Sequence, residues 1–307
     1  MATNAALREA ITKQVVEAIE NGNVPWRRPW SSSKNSGRPS NVVSKKPYRG
    51  INPLLLQIHQ AQHNCKSRWY ATFEQWRSLG CKVLKRPENV AAGKWGCQIV
   101  FYKPIAKKVM KNGKEEKQEF FIMKTFTVFN ADQVEGASRY QVENETTSSQ
   151  ATAVCFEPAD KVIAATGATI IVGGSDAYYS PSRDSIHMPD RHRFNPAYAY
   201  YGTIFHELSH WAEKRTGWER AGEDAYAVGE LIAELSSTMV CQELGIPTGE
   251  SLDNQAAYMK HWLKMMRGDS GFLFKVSQQA SKVTDYLLGC GEVAKDEAEI
   301  EEMAAAV

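Results

Sequence analysis

Two histidines four residues apart with a glutamate directly after the first, His206-Glu207-Leu208-Ser209-His210, lie inside the apolar stretch AYYGTIFHELSHWAEK. On a helix, residues i and i+4 stand one above the other on the same face, so both imidazoles can reach one metal ion. Glu207 lies one residue round the helix, where its carboxylate can serve as general base without ligating. This is the H-E-x-x-H arrangement of metal-dependent hydrolases.

Such a centre takes three protein ligands, so a third must come from elsewhere. The segment AVGELIAELSS supplies Glu230, 20 residues after His210, and Glu234 one turn later. Two carboxylates converging on two histidines repel each other unless a cation lies between them. We expect Glu230 to be the third ligand and Glu234 to accept a hydrogen bond from a ligand histidine, His206. The reverse assignment stays open. Zinc is the ion this set implies, with another divalent metal such as manganese as the alternative. A buried polar network without metal would leave three carboxylates and two imidazoles to satisfy one another at a high desolvation cost. In zinc peptidases an edge strand beside the metal helix holds the substrate backbone, and DSIHMP, residues 184–189, is the candidate. His187 within it is a further ligand or oxyanion donor, or a structural histidine. Tyr226, one turn before Glu230, is an oxyanion donor or a packed ring.

The helices that must position these groups are bounded by glycines: residues 196–216 ending at Gly217, and about 224–244 ending at Gly245. A helix near DKVIAATG and a β-rich stretch precede them. Two helices follow in NQAAYMKHWLKMMRG and GFLFKVSQQASKVTDYLLG. The acidic tail from residue 291 onward should fray.

The rest of the chain is chemically different. Residues 1–130 carry 23 Lys and Arg against 8 Asp and Glu, whereas residues 131–307 carry 14 against 27. A net charge of +2 thus hides a basic half, at +15, joined to an acidic one, at −13. Such asymmetry points to a polyanion-binding module beside one with a different task. The basic half opens with an amphipathic helix bearing Leu7, Ile11, Val15 or Val16, and Ile19. A proline-broken segment then interleaves Trp26, Arg27, Arg28, Trp30, Lys45, Lys46, Tyr48 and Arg49. Cations that track a phosphate backbone and rings that stack on unpaired bases are what single-stranded DNA requires, and these eight residues are the candidate contacts. The competing reading makes the tryptophans core and the lysines a solvated face. That reading is preferred for Trp69 and Trp76, which lie seven apart in SRWYATFEQWRSLG, as on one helix face. Strands are expected at WGCQIVFYKPI and QEFFIMKTFTVFNADQV, around an Asn112-Gly113 turn.

The expected architecture is α+β in two domains. Residues 1–140 form the single-stranded-DNA-binding domain, 141–152 a linker, 153–290 the metallopeptidase domain and 291–307 a tail. Six scattered cysteines without a CxxC pair indicate neither a thiolate zinc site nor a disulfide framework. No apolar run is long enough to span a bilayer and the N-terminus is unlike a signal peptide, so a cytoplasmic protein without a membrane partner is expected.

In order along the chain, VPWRRPW, NVVSKKPYRGIN, SRWYATFEQW, VFNADQVEG and AYYGTIFHELSHW with AVGELIAELSS resemble the ArdC family of antirestriction proteins, carried by conjugative plasmids and other mobile elements. The resemblance covers nearly the whole chain. It implies an N-terminal single-stranded-DNA-binding domain, of a kind also found in plasmid TraC-type primases, and a C-terminal zincin-like metallopeptidase domain. The histidine pair with its downstream glutamate is similar to the gluzincin class, matching at His206, Glu207, His210 and Glu230. The family further implies protection of incoming DNA from the recipient's restriction system, with a restriction-system protein as a candidate peptide substrate. Many family members carry two adjacent glutamates where this chain has Gly229-Glu230, which leaves Glu230 alone at that turn. The competing function is a non-enzymatic strand-coating protein whose metal site is structural or vestigial. A nuclease is disfavoured, because two-metal phosphodiester chemistry prefers carboxylate clusters.

Overall fold

Thr3 starts the first helix: its hydroxyl accepts the Ala6 N–H at 3.3 Å, and α1 (Asn4–Glu20) buries Ile11, Val15, Val16 and Ile19, the stripe expected from their spacing. A computed structural model describes residues 3–27, 34–111, 114–142, 155–247 and 255–305. After a 3-10 turn at Pro25–Arg27 the chain enters the basic domain's sheet. Strands β1 (Ser40–Asn41), β2 (Trp69–Thr72), β4 (Cys97–Lys111) and β5 (Lys114–Asn130) lie in the order β1-β2-β5-β4, with only the β1–β2 pair parallel. A separate ribbon pairs β3 (Lys82–Val83) with β6 (Val134–Glu135). The expected hairpin is longer than its apolar runs, with register from Cys97↔Val128 to Lys111↔Lys114. Its Asn112-Gly113 turn lies outside the described residues, as does most of the expected linker. Helix α2 (Asn52–His63) packs on β4 and on the 3-10 turn.

Trp69 and Trp76 do not share a helix. Trp69 is in β2, and Thr72 begins α3 (Phe73–Ser78) with a capping box: its side chain accepts the Gln75 N–H while the Gln75 side chain accepts the Thr72 N–H. The helix therefore starts four residues after Trp69. Trp76 is fully buried as expected, with its indole N–H donated to the Phe129 carbonyl at 3.0 Å.

Trp26 is a second correction. Its ring is 2% exposed and meets Trp262 edge-on at 6.3 Å, while Thr238 donates its hydroxyl to the Trp26 carbonyl. An indole enclosed this way has no face left for a DNA base. Trp26→Ala is expected to destabilise the protein by about 3–5 kcal/mol, as large cavities in well-packed cores do. A shifted urea midpoint would show it, and a stacking residue would give almost no shift.

The C-terminal domain places α4 (Glu157–Ala165), α5 (Ala199–Ala212), α6 (Ala225–Glu243), α7 (Gln255–Gly268) and α8 (Phe272–Ala305) around a small sheet. That sheet holds β7 (Thr169–Val172), β8 (Tyr178–Ser180) and β9 (Ser185–Met188) in the order β7-β9-β8. Helix α5 stops at Ala212, short of the expected 216, and Gly217 caps the 3-10 turn Lys214–Thr216 that follows it, while Gly245 follows α6; both glycines are left-handed, at φ +76° and +73°. Helix α8 continues to Ala305 through the segment read as a tail, whose alanine, glutamate and lysine residues are strong helix formers.

One apolar core runs without a break from α1 and α2 into α5, α6 and α8. Polar bonds reinforce the junction: Gln57 donates to Gln242 at 3.1 Å, and the Arg68 guanidinium meets the Glu243 carboxylate at 2.9 Å. Gly37, at φ +110°, is required there, because a Cβ would come within 2.7 Å of the Gln242 carbonyl oxygen. Among the described residues no helix is long and apolar enough to cross a membrane.

Candidate metal centre

Helix α5 is anchored by Ile204, Phe205, Leu208 and Ala212, all fully buried, and Ser209 satisfies its hydroxyl on the Phe205 carbonyl at 2.6 Å. That anchoring fixes the opposite face, where the His206 and His210 rings lie 4.8 Å apart and nearly perpendicular. Helix α6 packs on α5, with Leu231, Ile232 and Leu235 buried in the same core, and presents Glu230 and Glu234 to the histidines.

Glu230 stands between the two rings. Its carboxylate oxygens lie 3.4 Å from His206 Nε2 and 3.3 Å from His210 Nε2, and one ligand atom from each of the three residues falls within 4.8 Å of the others. Glu234 is on the far side, with Oε2 3.8 Å from His206 Nδ1. The Nδ1 atoms thus face carboxylates and the Nε2 atoms converge. This fits a divalent ion on His206, His210 and Glu230, since imidazole and carboxylate donors suit zinc and its neighbours. His206 Nδ1 is buried and lacks a hydrogen-bond partner among the described residues, and a small shift of Glu234 Oε2 from 3.8 Å would let it accept from that nitrogen.

The His210 ring is held by a group the sequence did not single out. Its Nδ1 lies 2.8 Å from Glu213 Oε1, and Arg220 donates to both Glu213 oxygens at 2.7 and 2.9 Å. Burial disfavours the His210 imidazolium, but hydrogen bonds and charge from Glu213 and Glu230 outweigh it and raise the pKa to about 9. Burial likewise opposes ionisation of Glu230, yet the two histidines hold it well below the ordinary carboxylate range. Glu213 is lowered too: its burial is overcome by His210 and Arg220. The i, i+3 spacing of His210 and Glu213 was legible as a same-face pair. Arg220 was not, because the Gly217 turn is what brings it back. Gly229 makes room for the pair, since a Cβ there would lie 3.0 Å from Arg220 Nη2 and 3.1 Å from Glu213 Oε1. Glu213→Ala is expected to weaken metal binding ~10–100-fold, the usual cost of removing the group that orients a ligand histidine. Titration against a competing chelator measures this.

Glu207, 8% exposed, lines a cleft of about 660 Å³ together with the metal-facing residues, Thr203, Tyr226, Tyr258, Trp262 and β8. The edge strand at the cleft is β8. The expected DSIHMP segment is β9, central between β7 and β8, with its backbone committed to both. His187 stacks on Tyr178 at 4.5 Å and 8° and stands outside the metal cluster. Tyr226 is exposed at the cleft rather than packed. Hydrogen bonding to Tyr258, burial and the Glu230 charge push its phenol above the ordinary range.

The candidate strand contacts are dispersed. Arg27 ends the 3-10 turn, and Arg28 and Trp30 lie outside the described residues. Lys45 and Lys46 are exposed, and Lys45 Nζ sits 4.7 Å from the Trp69 ring centroid and 4.9 Å from that of Tyr140. Arg68 and Arg139 lie against the same two rings, at 5.4 and 4.7 Å, a cation–aromatic cluster drawn from residues spread between positions 45 and 140. Tyr48 is half-buried, with its hydroxyl 3.3 Å from Asn41 Nδ2. Arg49 is exposed and ion-paired with Asp285.

The α5–α6 pair, with its histidines, glutamates and flanking sheet, defines a zincin-like domain, and residues 157–279 match the zincin-like metallopeptidase family model. Residues 5–129 match the N-terminal domain of anti-restriction factor ArdC. The chain belongs to the ArdC family of antirestriction proteins. It is 31% identical to the metal-free crystal structure of the antirestriction protein ArdC from the R388 plasmid, with a TM-score of 0.74 over 93% of this chain and 98% of that one. The Mn(II)-bound structure gives 30% and 0.70. The uncharacterized protein y4eC of Sinorhizobium fredii is 31% identical over 93% of this chain and 92% of its own length. A DNA primase TraC of Escherichia coli is 32% identical over 91% of this chain, which spans only 20% of that protein, and a second TraC is spanned over 27%.

Proposed function

We propose that this is an antirestriction protein of a conjugative plasmid or mobile element that binds single-stranded DNA and uses a divalent-metal peptidase centre to protect incoming DNA in the recipient's cytoplasm. The observation that carries the enzymatic part is the convergence of His206 Nε2, His210 Nε2 and the Glu230 carboxylate beside Glu207 in an open cleft. Three protein donors and an open side favour catalysis over a structural ion, which takes four donors, often thiolates. Zinc is the first choice of metal. The Mn(II)-bound relative makes manganese the second.

The metal would supply Lewis-acid charge at the open side of the cleft. Glu207 would take a proton from the attacking water and return it to the leaving amine as the peptide bond breaks. Glu213 and Arg220 would keep His210 Nε2 turned inward, Glu234 would do the same for His206, and β8 would hold the substrate backbone extended. The substrate is proposed to be a protein of the recipient's restriction system.

The strand-binding part rests on the +15 half and on the rings gathered around Lys45. Fluorescence anisotropy of a labelled oligothymidylate tests it. Lys45→Ala with Lys46→Ala should weaken binding and make log Kd against log salt shallower by about 0.7 for each phosphate no longer neutralised. An unchanged slope would show that the strand runs over another surface.

A further inference from the structure

A second cleft, of about 560 Å³, lies where the two domains meet. Arg8 from α1 and Arg49 ahead of α2 line it from the basic domain, and Lys275 and Lys282 line it from α8. Among the described residues no carboxylate lines it. Asp285 beside Arg49 and Asp269 beside Lys275 offset two of the four charges, while Lys282 has no ion pair among the described residues. Lys275, Gln278 and Lys282 are exposed at i, i+3 and i+7, so the acidic half of the chain turns a cationic stripe of α8 toward the basic half. Arg8 lies over the Phe274 ring at 6.0 Å, and its Nε is buried with no hydrogen-bond partner among the described residues. Asp269 also acts on the Arg8 charge, but the Arg8 Nε–H is left without an acceptor at a cleft that no carboxylate lines, where an anionic group could take it.

We propose that this cleft seats phosphates of the single strand as it passes from the basic domain onto α8, so that one DNA molecule ties the two domains together. The inference rests on the strand-binding reading above. Continuity supports the choice of ligand: Arg49 is four residues from Lys45, at most about 14 Å of extended chain, so a strand held at Lys45 is within reach of the cleft. Phosphate is the chemistry recognised, and a free mononucleotide is the other source that could offer it.

The test compares Lys275→Ala with Lys282→Ala against the Lys45→Ala with Lys46→Ala protein, using the labelled oligothymidylate across a salt series. Both cleft lysines are exposed, so the fold should be retained, with circular dichroism as the check. The cleft variant should bind the strand ~10-fold more weakly, with the salt slope shallower by about 1.4, the value for two phosphates. If only the Lys45/Lys46 variant loses affinity, the cleft proposal is overturned and strand binding stands. If wild type does not bind the strand at all, both fall together. Thymidine monophosphate at equal phosphate concentration should leave the probe bound. Its displacement of the cleft-dependent part of binding would overturn the strand in favour of a free nucleotide.

Discussion

Glu207→Ala is expected to bind its metal ion and single-stranded DNA as the wild type does while losing peptide hydrolysis by ~100–10,000-fold, the range a positioned general base contributes. The expectation follows from where Glu207 stands. It neighbours His206 on α5 and lines the cleft, but the metal-facing cluster is complete without it. Loss of the ion on this substitution would mean that Glu207 is a ligand and that Glu230 plays another part.

The second large effect separates the two glutamates of α6. Glu230→Ala should abolish tight metal binding, a loss exceeding the ~10–100-fold that follows removal of a group behind a ligand. Glu234→Ala should stay within that smaller range. The physical reason is distance and direction: Glu230 faces both Nε2 atoms at 3.3 and 3.4 Å, whereas Glu234 approaches His206 from the Nδ1 side, at 3.8 Å. Chelator competition on the two proteins decides between this assignment and its reverse. Equal losses would mean that both carboxylates ligate.

The candidate site was legible because its parts are short-range in sequence. The four-residue spacing of His206 and His210 and the four-residue spacing of Glu230 and Glu234 each encode one helix face, and Gly245 marks where the second of those helices ends. The local partners of the site were harder to see. Glu213 reads as an ordinary surface acid until Arg220 is folded back onto it, and Gly229 reads as a helix weakness until its missing Cβ proves to be the space they occupy. Periodicity also misjudged Trp69, because a capping box at Thr72 places the strand-to-helix boundary between two tryptophans whose spacing suits a helix.

Long-range packing explains the remaining differences. Trp26 has the composition of a DNA contact, flanked by arginine and proline, but an indole also suits a domain junction, and Trp262, more than 200 residues away, is what buries it. Strand order is equally non-local: β9 looked like an edge until β7 and β8 both paired with it. The basic and acidic halves implied two separate modules. Their shared core and the Arg68–Glu243 pair instead make the junction a structural element in its own right.

Protection is expected to depend on a working peptidase centre in a chain that also holds DNA. The decisive experiment is the efficiency of plasmid transfer into a recipient with an active restriction system, supplied with wild type or with Glu207→Ala. The variant should lose protection while its metal content and single-strand affinity stay unchanged. Full protection by the variant would refute a role for hydrolysis and assign the antirestriction activity to DNA binding alone.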